Sequence, residues 1–493
     1  DGGAGTREVT SPLVSLTGRV SGNTGPVTLR WSTDRGASGE IVTSSTWSIS
    51  NVPLARGETK VTVAAVNGGP PAATASYRVA QFRYYLAEGS TEADFVTELA
   101  IANPTDRDAP IEIHFLLDDG ETLVRSWKVE ALSRLTLSAA EVVGPGRAFA
   151  TEVRSLDAVP LAVERLVRWG PGLASGHSGT AVTVPSDSWY FAEGAQGFFD
   201  TFVLLANPNN DAVPVALTFM TEAGRAVTHQ LTVPARARRT VWARSIPELA
   251  QTSFSIQVVA AEPIVAERAL YFGGTVWLGG HLSLGAPEPG SRWLCPEGAT
   301  GSYFDTFVLV GNPSSSVADI VVDYLTDSGR VVTDHFEVAP LSRLTINVES
   351  RSPVLESVAV STVVTSTVPV VVERATYWGG DFTRWLDGHS SLGATAPRPK
   401  WGVADVRAGG AEAFETWLLL SNEHPFDIEV DVTQLPEFGP AATTRITVPA
   451  RSRYTLHANA YFPGAANQRF GVRLASVGGD GFAVERAQYW NAG

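Results

Sequence analysis

The chain has 493 residues, with 37 Lys+Arg against 51 Asp+Glu and a formal charge of −14. Hydrophobic residues make up 44% and charged residues 18%, a globular balance that excludes a disordered chain. The acidic excess argues against a nucleic-acid binder, and no run of about 18 apolar residues is present to form a transmembrane segment. At about 100–200 residues per domain, the length predicts three to five domains. Cys295 is the single cysteine, so no intramolecular disulfide forms. Asp1 reads as a processed or trimmed start, and Tyr489-Trp490-Asn491-Ala492-Gly493 carries no anchoring or sorting pattern.

From the N-terminus, Leu29-Arg30-Trp31-Ser32, Trp47-Ser48-Ile49 and Thr59-Lys60-Val61-Thr62-Val63 predict strands. An Arg35-Gly36 turn and a Pro53-Leu54 corner separate them. This order resembles an Ig-like module of secreted bacterial proteins, and the resemblance covers most of residues 1–81. Thr6–Val14 is strand-like after Asp1-Gly2-Gly3-Ala4-Gly5, which reads as flexible, and Pro12 disfavours a central strand there.

Beyond residue 81 one pattern occurs four times. Each copy opens on an aromatic phrase: Tyr84-Tyr85-Leu86-Ala87-Glu88-Gly89, Trp189-Tyr190-Phe191-Ala192-Glu193-Gly194, Trp293-Leu294-Cys295-Pro296-Glu297-Gly298, and a degraded Trp401-Gly402-Val403-Ala404-Asp405. An apolar run then ends at Asn103-Pro104, Asn207-Pro208, Asn312-Pro313 and Asn422-Glu423; the Asn residues lie 104, 105 and 110 apart. Arg and Thr follow two residues apart: Arg134/Thr136, Arg238/Thr240, Arg343/Thr345 and Arg453/Thr455. Glu-Arg comes next, as Glu164-Arg165, Glu267-Arg268, Glu373-Arg374 and Glu485-Arg486, each near an aromatic residue. Gly176-His177, Gly280-His281 and Gly388-His389 close the first three copies, while the fourth has no such phrase.

Between the phrases the period is two. Ile111, Ile113 and Phe115 alternate with Glu112 and His114, and Val215/Leu217/Phe219, Ile320/Val322/Tyr324 and Ile428/Val430/Val432 repeat the pattern. Turns follow near Gly120, Gly224, Gly329 and Gly439, a hairpin signal. Six or seven strands per repeat predict an all-β chain of tandem Ig-like β-sandwiches, one non-repeat domain plus four homologous ones. The expected bounds are 1–81, 82–187, 188–290, 291–398 and 399–493. A helical turn is expected near Ser245–Ala250, and Pro-bearing joints at 286–290 and 396–399 suggest stiff connections between units. The repeats resemble a family of tandem β-domains in exported bacterial proteins, marked by the Trp-Tyr-Phe-Ala-Glu-Gly and Glu-Arg-Ala-x-Tyr-Trp phrases. That resemblance covers about 410 residues and implies export from a bacterium, with no activity to carry over.

The carboxylates Glu88, Glu193 and Glu297, with Glu164, Glu267 and Glu373, invite comparison with a glycosidase pair, and Glu485 holds the matching motif position in the fourth copy. Near-identical copies in every repeat fit a fold-defining Arg–Glu network better, with Arg134, Arg238, Arg343, Arg453, Arg165, Arg268, Arg374 and Arg486 as partners. His177, His281 and His389 each stand alone in their repeats, a pattern of structural histidines rather than metal ligands. Cys295 fills a slot held elsewhere by Leu86, Phe191 and Val403, so it reads as a buried apolar side chain. No nucleophile elbow, calcium loop or phosphate loop is present. No catalytic, cofactor or metal residue is assigned.

The function expected is non-enzymatic: an extracellular structural or adhesive protein of the bacterial surface. Its partners are further copies of itself, or a surface glycan or protein. The alternative is a carbohydrate-binding accessory region of an exported enzyme. The missing fourth Gly-His phrase suggests an unpaired sheet edge, and Val9, Leu13 and Val14 a strand that joins it head-to-tail in a filament.

Overall fold

The computed structural model describes residues 6–490 apart from 10–12, 22–23, 35, 55–57, 67–72, 80–81, 93, 275–276, 380–384, 463 and 465. Alternation becomes strand in each repeat: Ile111, Ile113 and Phe115 lie fully buried in Ala109–Leu117, and Val215, Leu217 and Phe219 do the same in Val213–Thr221. Gly120, Gly224, Gly329 and Gly439 turn these strands back with φ of 92°, 75°, 77° and 99°, a region costly for any residue with a Cβ.

The first repeat has two antiparallel sheets. One orders Thr122–Val129, Ala109–Leu117, Phe149–Ser155 and Phe82–Leu86; the other orders Ser133–Ser138, Val96–Asn103, Ala162–Trp169 and Ser175–Thr180. The second and third repeats keep this order but fuse two strands into one of 19 residues, Phe254–Phe272 and Val360–Trp378, which serves both layers. In the fourth, Ser452–His457, Glu415–Asn422 and Ala483–Tyr489 make a sheet of three. The protein is thus all-β and sandwich-built. The short helical turn expected near Ser245–Ala250 takes the form of two 3-10 turns, Ala243–Ser245 and Pro247–Leu249.

Residues 6–79 form a five-stranded sheet facing a two-stranded one. Thr6–Val9 pairs in parallel with Ala73–Val79, and Leu13–Arg19 pairs with Thr46–Pro53. Val9, Leu13 and Val14, expected as an assembly strand, thus lie on strands that pair within residues 6–79. Val14 is 8% exposed inside its own apolar cluster, and leaving it would expose that surface. The flexible reading of Asp1–Gly5, Thr10–Pro12 and Arg35 fall outside the described residues.

The joints do not hold the repeats apart as a string of beads. Ala286, in the first Pro-bearing joint, is buried and exchanges both backbone hydrogen bonds with Tyr190. One apolar cluster joins Tyr85 and Trp169 of the first repeat to Trp189 and Tyr271 of the second, and another joins Ala192 and Phe272 to Trp293 and Tyr377. The fourth repeat closes back on the first. Lys400–Ala408 packs on Ala162–Trp169, and Ala100 and Ala102 meet Ala404 and Leu435. The small residues let the backbones approach: a Cβ at Gly471 would lie 2.8 Å from that of Ala102. The four repeats form a closed ring. The Gly-His strands Ser175–Thr180, Gly279–Leu284 and Asp387–Leu392 pack side by side at its centre.

Candidate functional site

Successive side chains on a strand point to opposite faces, so a Glu-Arg pair reaches two neighbours at once. Glu267 of the second repeat turns toward the first, accepting from the Glu88 backbone N–H at 2.7 Å and from Arg165 at 2.9 Å. Arg268 turns the other way, to Glu193 at 2.9 Å and to Glu373 of the third repeat at 2.5 Å. Glu373 accepts from the Ala192 N–H at 3.0 Å. Arg374 then meets Glu297 at 2.5 Å and Glu485 of the fourth repeat at 3.2 Å, while the Glu297 N–H donates to Glu485 at 2.6 Å. Arg486 completes the circuit on Glu164 at 3.2 Å, where Ala404 and Asp405 supply the backbone donors. Four seams thus carry one interaction around the ring.

The Arg-x-Thr phrase supports each seam from the next repeat. Arg238 donates to the Gly89 carbonyl, Arg343 to Gly194 and Arg453 to Gly298, at 2.8, 2.8 and 2.6 Å. Arg134 instead meets the carboxylate of Asp405 at 2.6 Å. Asp405 stands in the slot of Glu88, Glu193 and Glu297, and contacts Arg134 and Arg407 directly.

The histidines belong to the same network. His177 Nε2 lies 3.2 Å from Tyr271 Oη and 3.4 Å from Glu88. His281 lies 3.0 Å from Tyr377 Oη, and His389 3.3 Å from Tyr489 Oη. Tyr271 and Tyr377 donate to Glu88 and Glu193 at 3.0 and 2.7 Å. Tyr271, Tyr377 and Tyr489 are the aromatics of the Glu-Arg phrase, each four residues after its Glu, but the sequence assigned no role to their hydroxyls. In the first repeat that position is Arg168, which reaches Glu412 across the closing seam and Glu98 on the neighbouring strand of its own repeat.

Electrostatics set what these groups do. Burial would raise Glu88, but His177 and Arg165 outweigh it and hold the carboxyl at about 2; Arg374 and His389 do the same for Glu297. Burial lowers His281 to about 3, keeping the ring neutral. Burial also raises the Cys295 thiol and pushes Glu164 and Glu373 up. Glu88, Glu193 and Glu297, held ionised in this way, are poor proton donors near neutrality. Among the described residues no group of three or more His, Cys, Asp or Glu is placed to hold a metal. Of the thirteen Trp, Trp242 is the one exposed beyond about a third, at 40%.

Two cavities lie where the fourth repeat differs. One of about 1040 Å³ sits at the ring centre, between the Gly-His strands and Ala483–Tyr489. The other, about 590 Å³, lies at the seam between the third and fourth repeats and is lined by Phe304, Glu415, Trp417 and Tyr489.

No family model matches the chain, and no curated protein does. Among solved structures, Thermotoga maritima 1070 is 17% identical over 22% of this chain and 96% of its own, with a TM-score of 0.20. The Anabaena sensory rhodopsin transducer is 24% identical over 18% of this chain and 98% of its own, with a TM-score of 0.16. A tetra-tandem repeat from the extending region of a large adhesion protein is 12% identical over 79% and 97%, with a TM-score of 0.15.

Proposed function

We propose that the chain is a non-enzymatic structural or adhesive protein of the bacterial cell exterior, with its four repeats acting as one ring. The observation that supports this is the use made of the recurring polar residues. Glu88, Glu193, Glu297, Glu164, Glu267, Glu373 and Glu485 each face an arginine from their own or a neighbouring repeat. Groups committed in this way hold a fold together and leave no free pair for acid–base work. The domain bounds and the structural role of the motif residues are part of the same proposal. Head-to-tail assembly through residues 6–14 would require that segment to leave two sheets, so the ring alone is proposed as the unit.

The test is surface display of the chain on a non-adherent bacterium, followed by adhesion to immobilised host proteins and to a panel of polysaccharides. Retention on a surface, lost when the chain is removed by protease, supports the reading. Turnover of any glycan in the panel would overturn it. A negative-stain concentration series shows separate rings if the unit is the ring, and filaments if strand sharing links the chains.

A further inference from the structure

In the first three repeats the Glu-Arg strand has a partner on each side. Ala162–Trp169 lies between Val96–Asn103 and Ser175–Thr180, and the second and third repeats match it. Ala483–Tyr489 pairs with Glu415–Asn422 alone among the described residues. Burial follows the pairing. Val163–Trp169 is buried throughout, whereas only Ala483 and Ala487 are buried in Ala483–Tyr489. The His389 side chain, nearest the open side, is 21% exposed against 2% and 1% for His177 and His281.

The two cavities follow from the same difference. In the second repeat Trp277 stacks on Tyr271 at 4.7 Å and points its indole N–H at Asp200; in the third Trp385 stacks on Tyr377 at 4.7 Å and donates to Asp305 at 2.6 Å. The matching wall in the fourth repeat is complete: Tyr489 for the ring, Glu415 for the acceptor and Trp417 for Phe202 and Phe307. Among the described residues no Trp stacks on Tyr489 as Trp277 and Trp385 do on their tyrosines, and the cavity of about 590 Å³, bordered by Trp490, lies there. Four residues after each of those Trp comes His281 or His389, on the strand that would run beside Ala483–Tyr489, where the larger cavity lies.

We propose that this edge binds an extended peptide strand of the form Trp-Leu-x-Gly-His-x-Ser-Leu-Gly. The strand adds antiparallel, as Gly279–Leu284 does on Phe254–Phe272, placing its Leu, Ser and Gly opposite Glu485, Arg486 and Tyr489. Main-chain hydrogen bonds give affinity, and two side-chain features give selectivity. The Trp fills the smaller cavity and donates to Glu415. Glycine is required opposite Tyr489, because a Cβ at Gly280 or Gly388 would lie 2.7 or 2.5 Å from the ring of Tyr271 or Tyr377. The site stands apart from the adhesive reading, since the edge would be the same in a passive scaffold.

The test uses a fluorescein-labelled peptide with the sequence of Trp385–Gly393, titrated onto the full chain by anisotropy. Saturable one-to-one binding is expected, with slowed amide exchange across 483–489. The same peptide carrying Trp385→Ala or Gly388→Val should bind at least tenfold more weakly. The Glu415→Gln protein should weaken the parent peptide and leave the Trp385→Ala peptide unchanged. Extending the chain beyond Gly493 by these nine residues should block binding in trans. No binding at millimolar peptide, or equal binding of all three peptides, overturns the proposal. So does slowed exchange at 483–489 with a neutral oligosaccharide and not with the peptide, which would make the cavity a glycan site.

Discussion

Asn103, Asn207, Asn312 and Asn422 explain why an asparagine ends each apolar run. Each amide donates to three backbone carbonyls, as Asn207 does to Asp211, Val233 and Pro234 at 2.8, 3.1 and 2.9 Å. Its Oδ1 accepts the N–H two residues on, as from Asn209. One side chain therefore closes a loop and pins it to the end of the next hairpin. Asn207→Ala should cost about 1–3 kcal/mol, the penalty for leaving buried carbonyls unpaired. Asn207→Asp should cost more at neutral pH, because a carboxylate would face three acceptors, and urea denaturation of the two variants checks the order. Arg268 shows the same dependence in charged form. Removing it leaves Glu193 and Glu373 buried without their cation, so Arg268→Ala should lose about 3–5 kcal/mol.

Acid should weaken the seams, and the direction can be assigned group by group. Glu88 and Glu297 are held at about 2 against an ordinary 4.5, so their stabilisation is full above 4.5 and lost as pH falls through 2. His281 sits at about 3 against 6.5, so the unfolded chain takes up its proton first, and stability falls from pH 6.5 down to 3. The expected profile declines below pH 6.5 and more steeply below 4.5. Glu88→Gln should flatten the lower part, measured as denaturation midpoints at pH 7, 5 and 3.5. Asp387 runs the other way: burial raises it to about 8, so it costs stability as pH rises from 3.8 through 8. Asp387→Asn should therefore raise the midpoint at pH 9 and leave it nearly unchanged at pH 4.

At the scale of elements, the strand that carries Glu-Arg decides the architecture. Its alternation sends Glu to the preceding repeat and Arg to the following one, so one strand belongs to two seams. The turn before each Arg-x-Thr phrase is also fixed by element geometry. Leu132, Arg236, Leu341 and Arg451 all sit at φ of 46–50°, and each N–H closes onto the loop after the motif Asn. That is left-handed backbone on residues with a Cβ. Leu341→Gly should therefore be neutral or stabilising, despite the added freedom of the unfolded chain. Leu341 is 39% exposed, so little packing is lost. Thermal melting of this variant beside Leu341→Val, a β-branched residue poorly suited to that φ, gives the comparison.

At the scale of the whole molecule, closure of the fourth repeat on the first separates a ring from a string of sandwiches. A compact chain of this length has a radius of gyration of about 23 Å. Small-angle scattering should give a value near that, enlarged somewhat by residues 6–79, where an extended row of sandwiches would give roughly double or more. The closing seam uses its own chemistry, with Arg134, Arg168 and Arg407 gathered on Asp405, Glu98 and Glu412. Asp405→Ala should open that seam first, because it leaves Arg134 and Arg407 buried beside a lost carboxylate. The expected result is a larger radius of gyration, and faster amide exchange at 162–169 and 400–408 than at the other three seams.

The sequence by itself determined the local content. Period-two alternation gave the strands, Gly-bearing turns gave the hairpins, and five recurring phrases gave four equivalent units. Those features depend on near neighbours along the chain. It also marked Glu-Arg, Arg-x-Thr and Gly-His as recurring positions, because a network repeated in space must repeat in sequence. Which repeat each side chain addresses was decided only in the tertiary structure. Glu267 meets Arg165 and Arg268 meets Glu373 across about a hundred residues, and nothing in the spacing distinguishes a partner in the same repeat from one next door. Closure was equally hidden. It rests on Ala100, Ala102, Gly402 and Gly471, which read as ordinary small residues until two backbones are seen to approach over them.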